Sequence, residues 1–243
     1  MRILFILIIF LLSCSGSVDS KSKVEIYTEK GILLLGNGTE PSGIDPHIVT
    51  GVPEHKILLA LLEGLVVFNP KNNGILPGVA SEWIISKDGL VYTFKFNPNA
   101  RWTNGEKVLP SDFVYSWKRI LSPDLGAQYA DMLYVVKNAE KFHKGIVDDF
   151  NKVGISAIDN QLIITLENPT PYFLNILTHY STWPVHPKTV EKHGGMTSRN
   201  NQWTRLENFV GNGPFKLDSW EINKSLKVSR NKLYWGNSSN KIN

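Results

Sequence analysis

The sequence predicts a mixed α/β fold, and three observations carry the prediction. Runs of strand length alternate irregularly with spans of helical periodicity along most of the 243 residues. Hydrophobic residues make up 42% and aromatic residues 11% of the chain, enough to bury a substantial core. The single cysteine, Cys14, leaves no disulfide framework and no Cys-built zinc site to stand in for such a core. The 26 basic and 22 acidic residues give a formal charge of +4 and are scattered. Without a basic stripe, a nucleic-acid partner is not expected.

Met1-Arg2 and the ten apolar residues Ile3–Leu12 open the chain. Ten residues are half of the roughly 20 that span a bilayer and fit the core of a secretory signal. Leu11-Leu12-Ser13-Cys14 has the pattern of a bacterial lipobox, which makes 1–13 a lipoprotein signal peptide and Cys14 a lipidated N-terminus, with palmitate among its acyl chains. A plain signal peptide with a spectator cysteine is the alternative. Residues 14–30 are polar and aperiodic and are expected to form a flexible tether. The protein is then extracytoplasmic and lipid-anchored to the cell membrane, on its periplasmic or surface side.

Ile32–Leu35 reads as a buried strand ending at Gly36-Asn37-Gly38. After Pro53, residues Ile57, Leu58, Leu61 and Leu62 share a helical face, and Gly64 stops the helix. Val91–Phe96 alternates, with Tyr92, Phe94 and Phe96 on one side. Ser111 is the expected N-cap of a helix bearing Phe113, Val114, Trp117, Ile120 and Leu121. Lys118 and Arg119 fall in its last turn and Pro123 ends it. Strands Val153–Ile158 and Gln161–Glu167 flank a tight Asp159-Asn160 turn. Thr170-Pro171 opens a short helix, Pro187–His193 forms another closed by Gly194-Gly195, and Phe215–Trp220 and Leu226–Arg230 are strand-like.

No arrangement of residues points to catalysis or to a cofactor. There is no Walker loop, no G-x-S-x-G elbow and no H-E-x-x-H. Gly36-Asn37-Gly38 lacks the third glycine of a dinucleotide fingerprint. His179 and His186 are separated by Pro184 and do not share a helical face, so no metal is expected on them. Asp148-Asp149 reads as a solvated turn. The seven tryptophans are dispersed, which suits core packing better than a single aromatic surface.

Ordered blocks of residues then carry a resemblance. They include Gly38-Thr39-Glu40-Pro41-Ser42, Asp45-Pro46-His47, Glu63-Gly64-Leu65, and Gly78-Val79-Ala80-Ser81-Glu82-Trp83. Asn99-Ala100-Arg101-Trp102-Thr103-Asn104-Gly105-Glu106, Pro171-Tyr172-Phe173, Gly211-Asn212-Gly213-Pro214-Phe215 and Asn231-Lys232-Leu233-Tyr234-Trp235 continue it. Together they resemble the family 5 extracytoplasmic solute-binding proteins, specifically the oligopeptide-binding components of ABC importers. Most of these blocks are turn and scaffold residues.

The resemblance implies a periplasmic-binding-protein-like first lobe of the class II type, from 31–62 and 186–243, with an inserted sheet-containing subdomain at 63–184. It implies that the second lobe is absent, so that the chain is a fragment or a truncated product. It also implies capture of extended oligopeptides through backbone contacts, as a strand is added to a sheet edge, and delivery to ABC permease subunits. The candidate peptide-binding residues are Thr50, Gly51 and Val52, in a loop laid along the peptide, and Tyr129, whose ring faces it. Several family members carry a glutamate where this chain has Thr50. Residues that bind the peptide's termini belong mainly to the second lobe. The alternatives are a truncated surface lipoprotein with a structural or adhesive role, or a related dipeptide, nickel or haem binder.

Overall fold

A computed structural model describes residues 21–238. The signal-peptide reading of 1–13 and Cys14 lie outside the described residues. Residues 21–36 belong to one unit and those from Asn37 onward to another, and each is taken by itself.

In the first unit, within the segment read as a tether, Lys23–Glu29 form helix α1. Ser22 Oγ accepts the Glu25 N–H, and the Glu25 carboxylate returns to the Ser22 N–H at 2.6 Å, a reciprocal capping box. Composition misses this because the cap is a local hydrogen-bond device, not an apolar stripe. Ile32–Leu35 corrects the sequence reading outright: the run forms no strand, and all four residues are exposed. An apolar run of four is a strand only where a neighbouring strand takes up its N–H and C=O groups, and none does so here among the described residues.

The second unit holds a four-stranded antiparallel sheet, two hairpins and five helices among the described residues. Helix α2 (Val52–Leu61) begins at Gly51 with Pro53 in its first turn, and it buries Leu58 and Leu61. Hairpin β1 (Val66–Asn69) and β2 (Gly74–Pro77) follows. The sheet has the order β3 (Ala80–Ile85), β4 (Val91–Phe96), β6 (Gln161–Thr165), β5 (Ile155–Ile158). Tyr92, Phe94 and Phe96 of β4 are buried, as their alternation predicts. The turn between β5 and β6 is the two-residue connection expected: Ile158 pairs with Gln161, and Asp159 sits at φ +53°.

Helix α3 (Pro110–Leu121) buries Phe113, Ser116, Trp117 and Ile120 and packs against β5 and β6, with Phe113 edge-on to Phe96. Its cap is not Ser111. The N-cap is Leu109, two residues earlier, and the Asp112 carboxylate accepts the Leu109 N–H at 2.9 Å and the Trp102 Nε1–H at 3.0 Å. An acid in the first turn reaches the free N–H groups as well as an N-cap hydroxyl does. Short helices α4 (Ala139–His143), α5 (Phe173–Ile176) and α6 (Pro187–Lys192) line the remaining core. Trp102, Trp117, Trp183 and Trp203 are buried, while Trp83, Trp220 and Trp235 pack at its margin. Hairpin β7 (Phe215–Glu221) and β8 (Ser225–Arg230) leans on α2 through β7. No described helix is long and apolar enough to cross a membrane.

Candidate functional site

The segment before α2 is held from below by a buried ion pair. Arg119 donates to Asp45 Oδ1 at 2.9 Å and to Oδ2 at 2.6 Å, a two-pronged contact, and its Nε–H reaches the Met196 carbonyl at 2.8 Å. Arg119 lies in the last turn of α3, as the sequence reading has it, and is fully buried there. Burial pushes the Asp45 carboxyl up, but Arg119 outweighs that and holds it below the ordinary range. His47 Nε2 donates to the Trp183 carbonyl at 3.0 Å, so Nδ1, 2.9 Å from Arg119, is the acceptor and the ring is neutral. Burial, reinforced by the Arg119 charge, lowers its pKa to about 4.

From that anchor the chain runs through Val49, Thr50 and Gly51 into α2. Two tyrosines hold consecutive carbonyls: Tyr180 Oη donates to Val49 O at 3.1 Å, and Tyr129 Oη to Thr50 O at 3.2 Å. The Glu54 carboxylate, in the first turn, accepts the Ser42 N–H at 2.6 Å and its hydroxyl at 2.8 Å. A Cβ on Gly51 would lie 2.0 Å from Glu54 Oε2, so any other residue there would push that carboxylate from its present position. With both carbonyls engaged, the N–H groups of Thr50, Gly51 and Val52 are left without a partner among the described residues. Thr50 and Val52 are exposed, Val52 at 71%.

Thr50, Gly51, Val52 and Tyr129 therefore come together at one place, across 79 residues of sequence between Thr50 and Tyr129. Two residues that the sequence reading did not select join them. His179 lies edge-on to Tyr129 at 4.9 Å and tilted against Tyr180 at 4.2 Å, and His55 lies edge-on to Tyr180 at 5.5 Å. Burial, then the His55 charge, lowers the His179 pKa to about 4, and burial also lowers that of His55. Both border an open concavity of about 540 Å³ with Met132, Val135, Tyr172 and Ile176. His186 lies elsewhere, against Trp102, so the two histidines weighed together in sequence do not meet. Asp149 caps a short turn by accepting the Asn151 N–H at 2.9 Å.

A second buried polar group lies at the other end of α2. The Glu63 carboxylate accepts from Tyr234 Oη and, at 2.6 Å, from Trp235 Nε1, while Asn212 bonds both backbone groups of Glu63. Asn231 Nδ2 donates to Gly213 O at 2.9 Å. Three of the sequence blocks thus converge into one knot. Burial pushes the Glu63 carboxyl up to about 7 despite its two donors.

The mixed α/β chain has a periplasmic-binding-protein-like fold. Among solved structures, the chain is similar to Haemophilus influenzae OppA in complex with RPPGFSPFR, with a TM-score of 0.79, 36% identity, and coverage of 86% of this chain and 40% of that one. It is also similar to the murein tripeptide-binding protein MppA in its unliganded open form, with a TM-score of 0.77, 34% identity, and coverage of 84% and 38%. The family described as bacterial extracellular solute-binding proteins, family 5 Middle, matches residues 74–243, and the chain belongs to that family. Its relatives include the periplasmic oligopeptide-binding protein OppA of Salmonella typhimurium, 35% identical over 95% of this chain and 41% of that protein. The dipeptide-binding protein DppE of Bacillus subtilis is 36% identical over 91% and 39%. The chain spans about 40% of the length of these relatives.

Proposed function

We propose that the chain supplies one wall of an oligopeptide-binding site and works as the substrate-binding component of an ABC importer, with no catalytic step. The observation that carries this reading is the row of unpartnered N–H groups at Thr50, Gly51 and Val52, held in place by Tyr129. Such a row offers hydrogen bonds to the carbonyls of an extended peptide whatever its side chains, which suits a carrier of varied peptides. Relatives named as oligopeptide- and dipeptide-binding proteins support the same reading. In it, 31–62 and 186–243 form one lobe and 63–184 an insertion. Delivery to permease subunits and an extracytoplasmic position complete it.

Titration of the chain with tri- to pentapeptides, followed by amide NMR, tests the reading. One wall leaves much of a peptide in water, so the expected Kd is about millimolar, near −4 kcal/mol. Shifts should centre on the 50–52 amides. No shift at several tens of millimolar peptide would reject it. The lipid anchor at Cys14 is tested separately: Cys14→Ser should abolish fatty-acid labelling and release the protein from membranes, and labelling that persists in the variant removes the anchor from the reading.

A further inference from the structure

We propose that the concavity beside Tyr129 receives one side chain of the bound peptide and selects a bulky apolar side chain over an acidic one. This rests on the peptide-binding reading above. Two residues of its lining connect the concavity to the loop that carries the N–H row: His55 donates its backbone N–H to Gly51 O at 3.2 Å, and the His179 ring meets Tyr129 edge-on at 4.9 Å. A peptide lying along 50–52 therefore projects alternate side chains toward or away from this wall.

The wall is apolar over most of its area. Met132, Val135, Ile176 and the exposed ring of Tyr172 form it, in a space of about 540 Å³ that accommodates a leucine or an aromatic ring. Met132 adapts to differing shapes because its side chain is unbranched. The two histidines do not make the wall cationic. His179 Nδ1 lies 2.8 Å from Ser181 Oγ and 3.3 Å from the Ser181 backbone N–H, and burial, then the His55 charge, lowers its pKa to about 4, so the ring is neutral at pH 7. Burial lowers the pKa of His55 as well.

Among the described residues that line the concavity there is no lysine or arginine, and the one carboxylate is Asp131. A ligand carboxylate entering here would lose water, find no cation and face a like charge. A leucine or phenylalanine would exchange water for apolar contact.

The test uses the chain labelled with ¹³C in its methionine methyl groups, of which there are three, at Met1, Met132 and Met196. Met132→Leu assigns the reporting signal. Trialanine, trileucine and triglutamate are titrated at pH 7, since homotripeptides present the same side chain in every register. Trileucine should shift the Met132 signal and bind at least about fivefold more tightly than triglutamate, and Asp131→Asn should narrow that gap. Equal or tighter binding of triglutamate overturns the proposal. So does binding of trileucine, seen at the 50–52 amides, that leaves the Met132 signal still; peptide binding itself would then stand. Failure of all three peptides to shift any signal overturns both readings together.

Discussion

Tyr129 donates its hydroxyl to the carbonyl of Thr50 at 3.2 Å, joining the loop ahead of α2 to a short turn 79 residues further on. The bond engages one carbonyl of the loop, while the N–H groups of Thr50, Gly51 and Val52 have no partner among the described residues. Together with Tyr180 on Val49, it fastens two consecutive carbonyls of the loop.

Tyr129→Phe isolates that bond, because the ring and its packing on His179 remain. A net hydrogen bond of about 1 kcal/mol should be lost, which lowers Tm by about 2–4 °C in a chain of this size. Peptide affinity should fall alongside. A melting temperature unchanged within a degree would show that the hydroxyl does not hold the loop.

Val52→Pro separates backbone donation from stability. Position 52 is the first residue of α2, where proline is well tolerated and no N–H is needed by the helix. Gly51, at φ −94° and ψ 157°, already has the extended geometry that a following proline requires. The fold should keep its Tm while peptide Kd rises roughly two- to tenfold, the equivalent of one hydrogen bond. Unchanged Kd would remove the Val52 N–H from the site.

Removal of one partner from the Asp45–Arg119 pair should be costly. Arg119→Met leaves a buried carboxylate and a buried histidine nitrogen without their donor, at a cost of about 3–5 kcal/mol. Arg119→Lys keeps the charge but not the fork or the bond to Met196, and should recover less than half of that. Urea denaturation of the three proteins gives the comparison.

Gly213→Ala probes the packing of the second polar knot. Its Cβ would lie 2.5 Å from the Leu61 carbonyl carbon and 2.6 Å from the Leu62 nitrogen, both backbone atoms that cannot step aside. A loss of about 1–3 kcal/mol is expected from the forced shift, read as a lower urea midpoint.

Glu63 and His47 should bend the pH dependence in opposite directions. The folded-state pKa of Glu63, about 7, lies above its ordinary 4.5, so its share of stability is complete below pH 4.5 and is lost as pH rises to 7. That of His47, about 4, lies below its ordinary 6.5, so stability is lost as pH falls from 6.5 to 4. His179, with a pKa also near 4, adds a slope of the same sign as His47, so between pH 4.5 and 6.5 Glu63 opposes two histidines, each group contributing at most about 1.4 kcal/mol per pH unit. Glu63→Gln should expose the summed slope of His47 and His179, with stability rising from pH 4.5 to 6.5 and staying level from there to pH 8. Parallel curves for variant and wild type would place the Glu63 pKa near its ordinary value.

Much of the local structure was legible from the sequence. The alternation of β4, the apolar face of α3, the Asp159-Asn160 turn and the glycines after α6 all depend on residues within a few positions of one another. Strand β3 was harder to read, because it lies at the sheet edge with Ile84 and Ile85 exposed and a register shift after Ala80. Ile32–Leu35 misled for the complementary reason: its composition suits a strand, but a strand exists only through its partner.

The candidate site divides along the same line. Resemblance to a family singled out Thr50, Gly51, Val52 and Tyr129, while no spacing between residues 50 and 129 could have said that they touch. His55 and His179 carried no signal of their own until the rings of Tyr129 and Tyr180 were placed between them.

By itself the sequence determined the mixed α/β class, most helices and strands, and the absence of a catalytic motif, because propensity, periodicity and turn chemistry act between near neighbours. Only the tertiary structure decided that Arg119 is a buried partner of Asp45, that Glu63 receives Tyr234 and Trp235, and that Tyr129 meets Thr50. Each of these joins residues more than 70 positions apart, where burial makes an unpaired polar group costly and the pairing depends on how the whole core closes.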